Sequence, residues 1–159
     1  MVGPGTVVGV VPWLITRWRS RRPLPGGIAA RVLGGVLVAA GLGSLASAFT
    51  EFVKAGGTAA PIAPTERLVV SGLNRYVRNP MYVGLVTATL GQALLFGNSR
   101  LVLYAAAVWA GPAAWLRWYE EPTLARQFGT DYETYRRAVP AWLPRLRPWT
   151  PGHSGSRTD

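Results

Sequence analysis

Two adjacent carboxylates, Glu120 and Glu121, close an apolar run and stand directly before a proline, while far upstream Arg78 immediately precedes an Asn79-Pro80 step with Tyr82 and Gly84 just beyond. Carboxylates beside an apolar phase each cost several kcal/mol if they stay unpaired, so a cationic ligand or an arginine is the expected compensation. Arg117 and Arg126 are the nearest candidates along the chain. The guanidinium of Arg78 is a planar fork suited to a carboxylate or a phosphate, and it can serve the paired glutamates, a ligand oxygen or a lipid headgroup. Pro80 removes a backbone donor and disfavours helix at Asn79, which leaves N–H groups open near the start of the next helix. Tyr82 offers an aromatic wall with a hydroxyl, or an interfacial anchor. Histidine occurs once, at His153 in the tail, so a general base near these residues would be a glutamate, a tyrosine or the reacting molecule itself. Cysteine is absent, which removes thiolate chemistry and thiol metal sites.

Apolar helices must carry these groups. Of 159 residues, 49% are hydrophobic and 15% charged, a balance that favours lipid over water. Val32 to Thr50, Asn79 to Ser99 and Leu101 to Leu116 are free of charge and long enough, or nearly so, to span a bilayer, which takes about 20 residues. Thr6 to Thr16 is apolar but interrupted by Pro12, and without a basic leader or a cleavage site it is expected to be a retained helix. The net charge of +10 comes mostly from arginines bordering the apolar runs. That placement suits anionic headgroups better than nucleic acid, for which no recognition motif is present.

Helix one is expected near residues 3 to 18, helix two from Ile28 to Val53, helix three from Met81 to Gly97 and helix four from Leu101 to Tyr119. Residues 54 to 78 form a long loop of the kind that is usually functional. The short link GNSR makes helices three and four an antiparallel hairpin, so the Asn-Pro turn and the paired glutamates meet at one end. Beyond them, EPTLARQFG predicts a short helix stopped by Gly129, and a capping box from Thr130 to Glu133 opens another to Ala138. Leu124, Phe128, Tyr135 and Val139 share one face, which lies on the membrane surface or on the hairpin. Gly41 and Gly43 of helix two are expected to serve helix packing, with close approach of a cofactor as the alternative. Residues 150–159 read as a disordered tail on one domain, 1–149.

The segments GTAAP, RLVVSGLNRYVRNPMYVG and EEPTLARQFGTDYETYRRAVPAWLP occur in this order and together resemble the integral-membrane methyltransferases of the isoprenylcysteine carboxyl methyltransferase and phospholipid methyltransferase superfamily, over about residues 57 to 144. The resemblance implies an all-α membrane bundle of about four transmembrane helices with a C-terminal interfacial helical segment. It also implies transfer of a methyl group from S-adenosylmethionine to a lipid-like acceptor: an isoprenylcysteine-type carboxylate or thiol, or a phospholipid amine. On that basis Arg78 and Glu121 are the candidate catalytic residues. Asn79, Pro80, Tyr82, Gly84, Glu120, Glu121 and Tyr135 are the candidate cofactor contacts, and no metal is required. Cofactor supply places the site on the cytosolic face of a bacterial inner membrane. The chain departs from the commonest family pattern at Asn79 and Asn74, which bears on the acceptor. Two other readings are a non-catalytic membrane scaffold, which would not bind the cofactor, and a transporter fragment, for which the helices lack an ionisable pair or repeat.

Overall fold

A computed structural model describes residues 4–17, 27–54 and 70–150. Among these the regular structure is entirely helical. A π-helical turn, Thr6–Val10, leads into α1 (Val11–Thr16), and α2 (Gly27–Lys54), α3 (Pro80–Phe96) and α4 (Ser99–Trp115) follow. A second π-helical turn, Leu116–Glu120, then joins α4 to α5 (Glu121–Ala138). Among the described residues one helix is long and apolar enough to cross a membrane, over the 25 residues Gly27–Glu51, and Thr6–Thr16 and Pro80–Phe96 are shorter apolar helices. At 1.5 Å per residue, residues 6–16 reach only about 16 Å, roughly half a hydrocarbon core.

Small residues let α2 and α3 run antiparallel at backbone contact. A Cβ on Gly41 would lie 2.6 Å from the Ala88 nitrogen and 2.7 Å from the Gly84 carbonyl, and a Cβ on Gly34 would lie 2.7 Å from the Gly91 carbonyl. Two glycines seven residues apart on each helix therefore interlock, the geometry by which helices associate where hydrophobic burial supplies little drive. Gly43 has nothing within 4 Å, so the expected packing role falls to Gly41 with Gly34. At the end of this seam the Ser44 hydroxyl donates to the Pro80 carbonyl at 2.8 Å. Further along α2, Glu51 accepts from the Ser71 hydroxyl at 3.0 Å, tying α2 to the turn Gly72–Arg75. The opposite side of α2 leaves Ile28, Val32, Val36 and Phe49 exposed.

The α3–α4 hairpin forms as its linker suggests. Gly97 takes the left-handed conformation (φ 61°), its N–H closing on Ala93, and the Asn98 side chain accepts from the Arg100 N–H at 3.0 Å. Where the sequence predicts a break near Tyr119, the helix continues. The π turn absorbs the missing N–H of Pro122 without ending the helix, and the break comes at Gly129 (φ 52°, ψ −124°). The expected capping box is replaced, because Glu133 pairs with Arg136 at 3.6 Å while the Thr130 carbonyl accepts from the Thr134 hydroxyl. Leu124, Tyr132, Tyr135 and Val139 form a buried cluster against Val70, Phe128 and Trp149, so that face is turned inward. The GTAAP segment and the tail 151–159 lie outside the described residues.

Proline also explains how the N-terminal segment docks. The Val11 N–H turns back to Thr6, and Pro12 has none to give, so the Val7 and Val8 carbonyls lose their ordinary helical donors. Side chains replace them: Tyr104 of α4 donates to Val7 at 3.0 Å and Gln92 of α3 to Val8 at 2.7 Å.

Gly41→Ala should lower the melting temperature, because the new methyl meets backbone on both sides and overpacking costs about 1–3 kcal/mol. Gly43→Ala, placed in open space, should be neutral or stabilise by up to about 1 kcal/mol through helix propensity. Thermal unfolding of the two variants in one detergent checks the contrast.

Candidate functional site

The site is assembled at the end where α3 begins and α4 ends. Arg78 lies one residue ahead of the helix cap, with Asn79 in an irregular conformation (φ −125°, ψ 60°) that Pro80 enforces. A C-terminal segment fixes this turn from outside. The Arg78 N–H donates to the Pro140 carbonyl at 2.9 Å and the Asn79 side-chain amide to Ala141 at 3.1 Å. Arg145 and Trp149 donate their N–H groups to Tyr76 and Arg75, each at 2.9 Å. In return Arg75 Nε donates to the Trp149 carbonyl at 2.8 Å. Residues 75–79 and 140–149 thus hold each other by main-chain hydrogen bonds with no regular strand between them.

Across from this turn, the π turn Leu116–Glu120 changes which way the carboxylates face. In a plain α-helix adjacent side chains diverge by about 100°. Here Glu120 and Glu121 both line one cavity of about 50 Å³, together with Asn74, Arg78, Asn79, Tyr132 and Tyr135. Arg78 Nη1 donates to Glu121 at 2.6 Å, with the two side chains only 14% and 22% exposed, and more weakly to the Tyr132 hydroxyl at 3.4 Å. The Tyr135 hydroxyl donates to the Asn74 carbonyl at 2.7 Å. Arg78 Nε is buried with no partner among the described residues.

The two glutamates are therefore unequal. Glu121 has its guanidinium, supplied by Arg78 instead of the nearer Arg117 or Arg126. Glu120 has none, and burial, reinforced by the charge of Glu121, raises its carboxyl above the usual range. Burial likewise raises the Tyr132 and Tyr135 hydroxyls, partly offset by Arg78, so both stay protonated donors at neutral pH.

Of the residues singled out by sequence, Arg78, Asn79, Glu120, Glu121 and Tyr135 surround the cavity. Pro80, Tyr82 and Gly84 stand outside its lining. Pro80 is buried with its carbonyl held by Ser44, and Gly84 faces Gly41 across the α2–α3 seam. Tyr82 is half-buried on the first turn of α3, within electrostatic reach of Glu120. Tyr132 escapes sequence reasoning although it stands three residues before Tyr135, a spacing that puts both rings on one helical face. The pairing of residues 140–149 with the Asn-Pro turn has no such signal.

Comparison with known proteins adds to this geometry. Residues 29–131 match the family described as phospholipid methyltransferase. The chain is also 35% identical over 103 residues to the protein-S-isoprenylcysteine O-methyltransferase of Schizosaccharomyces pombe, an alignment covering 61% of this chain and 43% of that protein. The chain thus spans less than half the length of this curated relative. No solved structure matches.

The inequality of the glutamates is measurable. Glu121→Gln removes the charge that compensates Arg78 and should cost about 1–3 kcal/mol of stability. Glu120→Gln should leave stability unchanged or raise it, because it removes a carboxylate that burial disfavours. A carboxyl raised in the folded state contributes stability that is lost as pH rises through its folded pKa. The advantage of Glu120→Gln over wild type should therefore grow as pH climbs above the ordinary carboxylate range, in thermal unfolding followed across pH.

Proposed function

The chain belongs to the phospholipid methyltransferase family, and from that premise we propose that it is a membrane enzyme that uses S-adenosylmethionine to methylate a hydrophobic, lipid-like acceptor. One observation carries the reading. A half-buried carboxylate with no cation among the described residues, Glu120, and Arg78, whose buried Nε has no acceptor among them, line the same small cavity inside the family match. An amino acid bearing a second positive centre satisfies both, its carboxylate on Arg78 and a cation on Glu120. The Tyr132 hydroxyl and the second hydrogen of the Asn79 amide add donors to the wall, the Tyr135 hydroxyl being committed to Asn74, and the cavity has room for one polar end of such a molecule.

When bound, S-adenosylmethionine supplies a methyl group on a sulfonium, a good leaving group that needs no metal. The work left to the protein is orientation and exclusion of water, which can contribute about 7–11 kcal/mol in well-aligned reactions. Glu120 holds positive charge next to the site, and Arg78 fixes a carboxylate through its planar fork. Glu121 is the group within reach to take a proton from an amine acceptor, while a carboxylate acceptor would need no base. The membrane setting rests on the family, on α2 and its exposed apolar side, and on irregular backbone at Asn79 being covered by the C-terminal segment. With the cofactor made in the cytosol, the end bearing Arg78 and Glu121 faces that compartment.

S-adenosylhomocysteine should raise the melting temperature of the wild-type protein. S-adenosylmethionine, which carries the extra positive charge, should bind more tightly than S-adenosylhomocysteine, and Glu120→Gln should abolish the difference. The preference should weaken as pH falls through the raised pKa of Glu120, since protonation removes the carboxylate. Calorimetric titration of both ligands across pH checks this, and equal affinities in the wild type at neutral pH would overturn the role of Glu120. Arg78→Lys keeps charge but loses the fork, so turnover with isotopically labelled cofactor, read in lipid extracts by mass spectrometry, should fall about tenfold or more.

A further inference from the structure

Glu121 has a second face. Behind it lies a separate cavity of about 270 Å³ lined by Arg117, Trp118, Glu121, Pro122, Ala125 and Arg136. Its charges do not cancel. The carboxylate of Glu121 is already taken by Arg78 at 2.6 Å. Arg136 is held only loosely, by Glu133 at 3.6 Å with both side chains more than 40% exposed, a contact worth little in water. Arg117 makes no hydrogen bond or ion pair among the described residues. The remaining wall is apolar: Pro122, Ala125 and the indole of Trp118, which is 77% exposed. Along the chain Trp118 is flanked by Trp115 and Tyr119, whose ring centroids lie 4.5 Å apart, the kind of side chains found at headgroup depth.

We propose that this second cavity is the acceptor-side binding site, taking the anionic end of an amphiphile, a carboxylate or a phosphate, between Arg117 and Arg136 with its apolar stem against Trp118. The proposal rests on the reading of the first cavity as the cofactor site and assigns it a partner on the far side of Glu121. Two guanidinia with spare donors favour an anion over a cationic or neutral group, and an exposed indole favours a molecule that is part lipid. Glu121 lines both cavities and so adjoins both ligands, and Arg117 and Arg136 become specificity residues for acceptor charge. Membrane phospholipid and a single-chain acceptor share this chemistry, and they differ in size.

The test uses the full chain in nanodiscs of phosphatidylcholine and three probes bearing a nitroxide near the polar end: stearic acid, stearamide and phosphatidylglycerol. Quenching of Trp118, isolated by subtracting the Trp118→Phe variant, reads occupancy. Stearic acid should bind about tenfold tighter than stearamide, and Arg117→Gln with Arg136→Gln should erase the difference while Lys at both positions restores most of it. If phosphatidylglycerol is preferred to phosphatidylcholine but stearic acid is not preferred to stearamide, the two arginines hold bulk lipid and the acceptor assignment is overturned. Equal binding of all probes to the wild type, or discrimination that survives the double substitution, overturns the anion site itself. The thermal shift with S-adenosylhomocysteine, measured on the same samples, separates the two readings: its absence refutes the cofactor site alone, and its presence with no charge discrimination refutes the acceptor site alone.

Discussion

The ion pair between Arg78 and Glu121 is the constraint around which the site end of the molecule is built. It joins a residue ahead of α3 to one at the start of α5, and with both side chains largely shielded, removing either would leave an uncompensated charge. Everything nearby serves to hold those two groups at 2.6 Å. The Asn79-Pro80 step holds Asn79, next to Arg78, at dihedral angles no helix allows, the C-terminal segment covers that backbone, and the π turn brings Glu121 round without ending the helix. Glu120 is carried inward by the same turn. It becomes the unpaired member because the available guanidinium is already committed.

Below this end the fold depends on closeness. The interlocked pairs Gly34–Gly91 and Gly41–Gly84 put α2 directly against α3, and only from that distance can Ser44 reach the Pro80 carbonyl. Glu51 then reaches the turn that precedes Arg78 through Ser71. Gly84, which its position after Tyr82 makes a plausible ligand contact, is used on the opposite side, as the surface that lets α2 approach. Packing and site are linked through the first turn of one helix.

Much of this was legible along the chain because it is local. The hairpin follows from a short link containing Gly97 and Asn98, the stop at Gly129 from a glycine between two helical patterns, and the meeting of Arg78 with the glutamates from the hairpin geometry. Long-range contacts were not legible. Which arginine pairs with Glu121 depends on backbone direction at two distant turns, and the docking of residues 140–149 on 75–79 is made by main-chain groups that every sequence possesses. The continuous run from α4 into α5 was hidden as well. A proline inside an apolar stretch ordinarily marks a boundary, and only a local change of helical register at Leu116–Glu120 lets the chain pass through it.

The carbonyls freed at Val7 and Val8 make the N-terminal segment dependent on the α3–α4 hairpin. The donors that satisfy it, Gln92 and Tyr104, lie on the two helices of a hairpin 84 and 97 residues further along the chain. Without that hairpin, two main-chain acceptors in an apolar stretch lack a protein donor, which is costly wherever water is scarce. Docking of residues 6–16 therefore depends on the completed hairpin, whose two helices each supply one of the donors.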